Sequence, residues 1–279
     1  MLLTDSINIQ TRDNIQLLHI NNAFATAEIS LFGGHILSFT PKHDNRDRLW
    51  LSKKAIFDGT TAIRGGIPVC WPWFGAHKSN SDLAAHGYVR TQTWDILNTE
   101  ETDTGTIIKL TPQTSIGEGL EGKAQLTLEV HVGQQLKIQL HTTNIGDSPL
   151  TYDCALHSYF TISNITQCEL FGLSEQYSDK TRDYQLFETP KPYRFNEETD
   201  RVHLETPSTL TIIDKQIKTD IQSTGHDSIV VWNPWQDKSI NMLDMENDSY
   251  LTMLCVETAI TKSQTVNPNE THVLEQIII

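Results

Sequence analysis

No apolar run in this 279-residue chain approaches the roughly 18 residues that a membrane-spanning helix requires, which argues against an integral helical membrane protein. Its opening, MLLTDSINIQTRDN, lacks a basic start and holds only a two-leucine apolar patch, so no secretory signal is expected and a cytoplasmic location is. Basic charge is also scarce. The chain has 21 Lys and Arg against 35 Asp and Glu, a formal charge of -14, and such a surface is unsuited to nucleic acid or an anionic membrane. An anionic ligand must therefore be met by particular arginines or lysines that reverse the global field locally.

Cysteine is rare as well. The four residues, Cys70, Cys154, Cys168 and Cys255, lie far apart in apolar or strand-like sequence with no CxxC spacing. They read as reduced, buried small hydrophobes rather than disulfides or metal ligands. The histidines form no HExxH and no pair at a ligand spacing on a clear helix, so no metal is expected. The GxSxG elbow, the P-loop and GxGxxG are all absent, which removes the simplest serine-hydrolase, nucleotide and dinucleotide readings. There is no convincing helical stripe, low-complexity linker, internal repeat or break in composition. A single domain spanning 1–279 is the simplest expectation.

What the chain does contain is alternation. In AQLTLEVHV, Leu126, Leu128, Val130 and Val132 alternate with polar residues, and QLKIQLHTTN repeats the pattern after a short connection. The two read as a hairpin of half-buried strands. A turn at NIGDSP leads into a third strand, LTYDCALHSYF, in which Tyr152, Cys154 and Leu156 share one face and His157 takes the other. Further strands are read at NIQLLHI, FATAEISLF, HILSFTP, TGTIIKLTP, RVHLE, STLTIID, SIVVWNP and YLTMLCVET, most of them separated by Gly, Asn, Asp or Pro clusters. Many strands at short spacing predict an all-β sandwich or barrel.

Few groups could do chemistry. Glu257 continues the apolar parity of Leu251, Met253 and Cys255, where desolvation would raise its pKa and sharpen it as a proton acceptor when ionised. On these grounds alone it could equally be a solvent-facing strand end or half of a buried ion pair, and His157 a core or surface histidine. Arg64 in AIRGGIPVCWPWFG and the HGYVR segment, with His86 and Arg90, place arginines near glycines. That combination suits a phosphate, because the guanidinium fork reaches two oxygens while glycine permits close approach, or else a surface salt bridge. Asp200 in ETDRVHL could pair with Arg201 or cap a turn. Trp71, Trp73 and Phe74 could wall a sugar site or fill a core.

Taken together and in order, RGGIPVCWPWFG, HGYVR, LHSYF, TDRVHL, VVWNPW and CVETA resemble the glucose-6-phosphate 1-epimerases, the hexose-6-phosphate mutarotases of the aldose 1-epimerase superfamily, over nearly the whole chain. The resemblance implies a large antiparallel β-sandwich of the galactose mutarotase-like supersandwich type, no cofactor, and interconversion of the α and β anomers of a hexose 6-phosphate. It implies His157 and Glu257 as catalytic residues, Arg64 and Arg90 as phosphate contacts, and His86 and Asp200 as sugar contacts. Asp179 in YSDK matches a recurrent family aspartate, and Trp73 and Lys78 are further candidate contacts. The sequence departs from the family at Ala85, where a substrate-reaching glutamine is frequent, at Ala76 in place of a proline, and at Asn269 in place of a glycine. A small sugar phosphate is the expected partner and a monomer the expected state. An aldose 1-epimerase of unphosphorylated sugars and a non-catalytic carbohydrate-binding homologue are the competing readings. A glycosidase would need a second carboxylate placed about a glycosidic bond.

Overall fold

The computed structural model describes residues 3–204 and 207–279. Within them, strands form one four-stranded and two eight-stranded sheets, and every strand pairing is antiparallel. The N-terminal sheet is a meander of Ile7–Arg12, Ile15–Asn21, Ala25–Ser30 and His35–Pro41. One eight-stranded sheet is built around the predicted hairpin, now Ala124–Gly133 paired with Leu136–Asn144, flanked by Gly105–Pro112 and Thr271–Ile278. The other, which carries the candidate site, runs Gln185–Glu188, Gln176–Asp179, Thr199–Leu204, Ser228–Asn233, Met253–Val266, Leu150–Leu156, Val69–Cys70, with Tyr159–Thr161 also pairing to Met253–Val266. RVHLE ends at Glu205, which lies outside the described residues. The only α-helix among them is Trp235–Asn241, and no helix is long and apolar enough to cross a membrane.

The main core joins alternate residues of all three sheets. Leu18, Ile20 and Ile29 meet Leu128, Ile138, Leu140 and Leu274 and the odd or even partners Leu156, Ile229, Val231, Leu254 and Val256 in one buried cluster. This is the packing of a β-sandwich, in which each strand gives one side chain in two to the interior. All four cysteines are buried and unpaired with one another.

Strands of the site sheet are buried on both faces. Ser228–Asn233 is buried throughout and Met253–Val266 over its first eight residues, so they read as continuous apolar runs rather than clean alternation. The face turned away from the core carries a floor of small or β-branched residues, Cys70, Ala155, Val202, Val230 and Ala259, beside a second cluster of Trp50, Tyr159, Trp232, Met253 and Cys255.

Candidate active site

The third predicted strand does not run through. It stops at Leu156, where the His157 amide turns to the Pro68 carbonyl (3.1 Å), and resumes at Tyr159, whose amide donates to Gly66 (2.9 Å). The register survives the break: Leu156 opposes Thr258, and Tyr159 opposes Cys255. His157 therefore falls opposite Glu257, on the face it shares with Ala155. Directly opposed residues have their Cβ atoms about 4.5–5.5 Å apart, and His157 Nε2 lies 3.4 Å from Glu257 Oε1. Two residues a hundred positions apart thus meet through sheet register.

The pair is dry. Glu257 is 1% exposed and His157 12%, and neither Glu257 Oε2 nor His157 Nδ1 has a protein hydrogen-bond partner. Burial lowers the His157 pKa well below the ordinary histidine value, helped by His86, Arg64 and Arg90. Burial raises that of Glu257 well above the carboxylate range, opposed by Lys180 and reinforced by Asp200. Both directions follow from removing charge from water, so by itself the pair favours neutral histidine beside a protonated glutamate. That state has the same proton count as imidazolium beside carboxylate. Aromatic rings fix the imidazole: Tyr159 stacks on it at 4.9 Å, and His86 and Trp232 meet it edge-on at 5.6 and 6.1 Å.

Arg64, Arg90 and His86 gather at the same place. Arg64 is held on two sides, its Nε donating to Asp244 (3.0 Å) and one Nη to the Tyr159 hydroxyl (2.9 Å). Arg90 donates to the Ala85 carbonyl (2.9 Å) and, among the described residues, makes no ion pair. Ala85, which lacks the family's glutamine side chain, thus supplies its main chain. His86 sits in left-handed backbone (φ 68°), and its Nδ1 accepts the Gly75 amide (3.3 Å). Burial, with Arg90, Lys180 and Arg64 nearby, depresses its pKa to about 3, so it is a neutral Nε2–H donor. Gly65 and Gly66 have a different purpose from ligand approach: a Cβ on Gly65 would lie 2.5 Å from the Trp50 carbonyl oxygen, and one on Gly66 2.2 Å from that of Ile36. Their space is taken by neighbouring backbone.

Asp200 is in the site but pairs with neither Arg201 nor a turn. Its partner is Lys180 (3.1 Å), a residue not singled out from sequence, whose ammonium also lies 5.4 Å above the Phe74 ring. Phe74 in turn meets His86 at 5.1 Å and His157 at 6.4 Å, so it supplies the aromatic border. Three other candidates are not brought to the pair. Trp73 is buried against Tyr88 and His77, with its indole N–H on the Ala84 carbonyl. Lys78 is bound to Asp153 (2.9 Å) and Ser263 (2.8 Å). Asp179 faces the other side of the sheet beside Arg201, where its Oδ1 accepts the Thr181 amide and caps the turn Lys180–Arg182. Asp244, Tyr159 and Trp232 also border the site. Only Tyr159 and Trp232 carried a signal, inside LHSYF and VVWNPW.

His157, Cys255 and Glu257 have ligating atoms within 4.8 Å of one another, so a metal deserves a test. Bonds of about 2.0–2.3 Å in a tetrahedron put zinc ligands roughly 3.3–3.8 Å apart, a spacing that His157 and Glu257 meet at 3.4 Å, so the case turns on the thiol. The Cys255 thiol is pushed well above its usual pKa by burial and by Glu257, away from the thiolate a metal needs. The trio fits proton exchange better than a resident ion.

Comparison with known proteins bears on fold and family. The crystal structure of a "putative mutarotase" from Salmonella typhimurium superposes with a TM-score of 0.91, at 29% identity over 99% of this chain and 94% of that one. A galactose mutarotase-like protein from Clostridium acetobutylicum shares the fold at 14% identity, with a TM-score of 0.76 over 98% and 97% of the two chains. The molecule is thus a galactose mutarotase-like β-sandwich. A protein of Escherichia coli K12 named "Putative glucose-6-phosphate 1-epimerase" is 33% identical over 253 residues, 88% of this chain and 84% of the relative. One of the same name from Cenchrus ciliaris is 36% identical over 270 residues, 88% and 78% of the two chains. The sequence pattern of the aldose 1-epimerase family matches residues 16–278, and the chain belongs to that family of isomerases.

Proposed function

We propose that this protein interconverts the α and β anomers of a hexose 6-phosphate, with glucose 6-phosphate the first candidate, and that His157 and Glu257 exchange the protons. The observation that carries the reading is the cross-strand His157–Glu257 pair at 3.4 Å beside Arg90, a cation without a carboxylate partner among the described residues.

Ring opening removes the proton from the O1 hydroxyl, forms the C1–O1 double bond as C1–O5 breaks, and delivers a proton to O5. Glu257 as carboxylate takes the first proton and His157 as imidazolium gives the second. The pair then stands as glutamic acid and neutral imidazole, the state its burial favours. Rotation about C1–C2 presents the other face of the aldehyde, and reclosure returns both protons. The proton count on the pair never changes, so neither metal nor covalent intermediate is required. Each group of this kind typically contributes about 10²- to 10⁴-fold.

The phosphate is a handle remote from the reacting centre. Relatives named as glucose-6-phosphate 1-epimerases support it, as does the local charge: Arg64, Arg90 and Lys180 outnumber Asp200 and Asp244 when Glu257 holds a proton. An anion on the arginines also cancels the field with which they depress His157, moving it toward the imidazolium that donates to O5. The reading of an unphosphorylated substrate draws on one observation, that Arg64 is already paired with Asp244. Rates of anomer exchange for glucose, galactose and mannose 6-phosphates beside the free sugars decide between them. Faster exchange of the phosphorylated sugars is expected, and equal rates with and without the phosphate would remove the phosphate from the account.

A further inference from the structure

Lys180 and Asp200 form a net-neutral pair on the face of the sheet that carries Glu257. Asp200 lies opposite Trp232, and Trp232 opposite Cys255, which shares its face with Glu257. Asp200 is therefore two strands from the acid-base pair, about 10 Å at the usual strand spacing. Neither partner is a loose surface charge: the side chains are 23% and 18% exposed, and the ammonium is seated over Phe74. Asp179 explains how the lysine is aimed. By accepting the Thr181 amide (2.9 Å) and hydroxyl (2.6 Å) it fixes the short turn on which Lys180 is the first residue.

We propose that Lys180 and Asp200 together bind two adjacent ring hydroxyls of the sugar, and that Lys180 is thereby a residue that sets which hexose the enzyme accepts. The inference rests on the hexose-phosphate reading above. Lys180 Nζ lies 3.1 Å from Asp200 Oδ1 without a hydrogen bond between them, and that buried oxygen has no other partner, so donors of the ammonium and an acceptor of the carboxylate both remain open. Side by side, a free donor and a free acceptor match neighbouring hydroxyls, one accepting from the lysine and the other donating to the aspartate. A phosphate dianion is a poorer match, since a carboxylate 3.1 Å from the ammonium repels it while Arg90 carries no such partner. Recognition by buried polar groups is also the kind that discriminates, because an analogue lacking the hydroxyl leaves them unpaired.

The test compares kcat/KM for glucose 6-phosphate, free glucose and the 2-, 3- and 4-deoxy analogues of each, using the wild type, Lys180→Met and Lys180→Gln. The wild type should lose about tenfold or more on two deoxy sugars that are neighbours on the ring. Lys180→Met should cost glucose 6-phosphate a similar factor yet add nothing on one of those two analogues, and Lys180→Gln, which keeps a donor, should recover part of the loss. Proportional losses on every sugar would overturn the proposal by making the lysine's effect general, and a loss confined to phosphorylated sugars would make it a phosphate contact. Absence of exchange by the wild type on every hexose 6-phosphate, with exchange of free glucose intact, would instead remove the parent reading while leaving the deoxyglucose series to judge Lys180.

Discussion

Replacing Arg90 with Met separates binding of the phosphate from the chemistry at C1. The guanidinium makes one protein hydrogen bond, to the carbonyl of the exposed residue Ala85, and no ion pair among the described residues. The fold therefore loses no more than about 1 kcal/mol. A phosphate on the remaining donors forms two charge-assisted bonds at about 1.5–3 kcal/mol each, and the lower end suits a site open to water. The loss of transition-state binding for glucose 6-phosphate is then about 3 kcal/mol, roughly 150-fold in kcat/KM. Free glucose has nothing to place there and should change only a few-fold. Removing the charge also relieves His157, so the limb of the pH–rate profile governed by that residue should move to higher pH. Exchange spectroscopy on anomeric protons, with both sugars and across pH, measures all three quantities. Equal losses on the two sugars would refute the reasoning, because they would assign Arg90 to the sugar ring or the fold.

Other outcomes follow from the same geometry. Gly87 has φ 75°, and a Cβ there would lie 1.9 Å from the Trp71 carbonyl oxygen, so Gly87→Ala should destabilise the fold by about 3 kcal/mol or more in urea denaturation. Burial depresses the His35 pKa to about 4. The unfolded chain, near 6.5, binds the proton first, so this contribution is present above pH 6.5 and is lost as pH falls toward 4. At pH 4.5 the loss is about 2.5 kcal/mol, and the stability gap between wild type and His35→Gln should shrink by that amount relative to pH 7.5. Burial pushes the Cys70 and Cys168 thiols up to about 12, and Cys154 and Cys255 are raised well above normal. DTNB should therefore find no fast thiol in the native protein and four after denaturation; a fast native thiol would contradict the burial.

The parts of the molecule written as local patterns were legible in advance. Period-two alternation identified the hairpin of Ala124–Gly133 and Leu136–Asn144, and HILSFTP coincides with the strand His35–Pro41. Trp94–Thr102 went unread because, as an edge strand, it is largely exposed and polar along its length. The break between Leu156 and Tyr159 has no local mark, since its backbone bonds go to Pro68 and Gly66 nearly a hundred residues away. The site divides in the same way. Residue parity put His157 opposite the apolar face and Glu257 on the face of Cys255, but their contact depends on strand register. In YSDK the aspartate drew attention and the lysine reaches the site, because Asp179 turns the chain just before it. The partner of Arg64, Asp244, lies 180 residues away and belongs to no motif.

The central claim is that His157 and Glu257 open and close the sugar ring as a single proton-exchanging pair. Exchange between the α and β anomers of glucose 6-phosphate, measured with the wild type and with Glu257→Gln, tests it most directly. The glutamine keeps the size of the side chain and a hydrogen bond but cannot take the O1 proton. We predict a fall in kcat of at least about 100-fold with little change in substrate binding. Exchange by Glu257→Gln at a rate close to wild type would contradict the account.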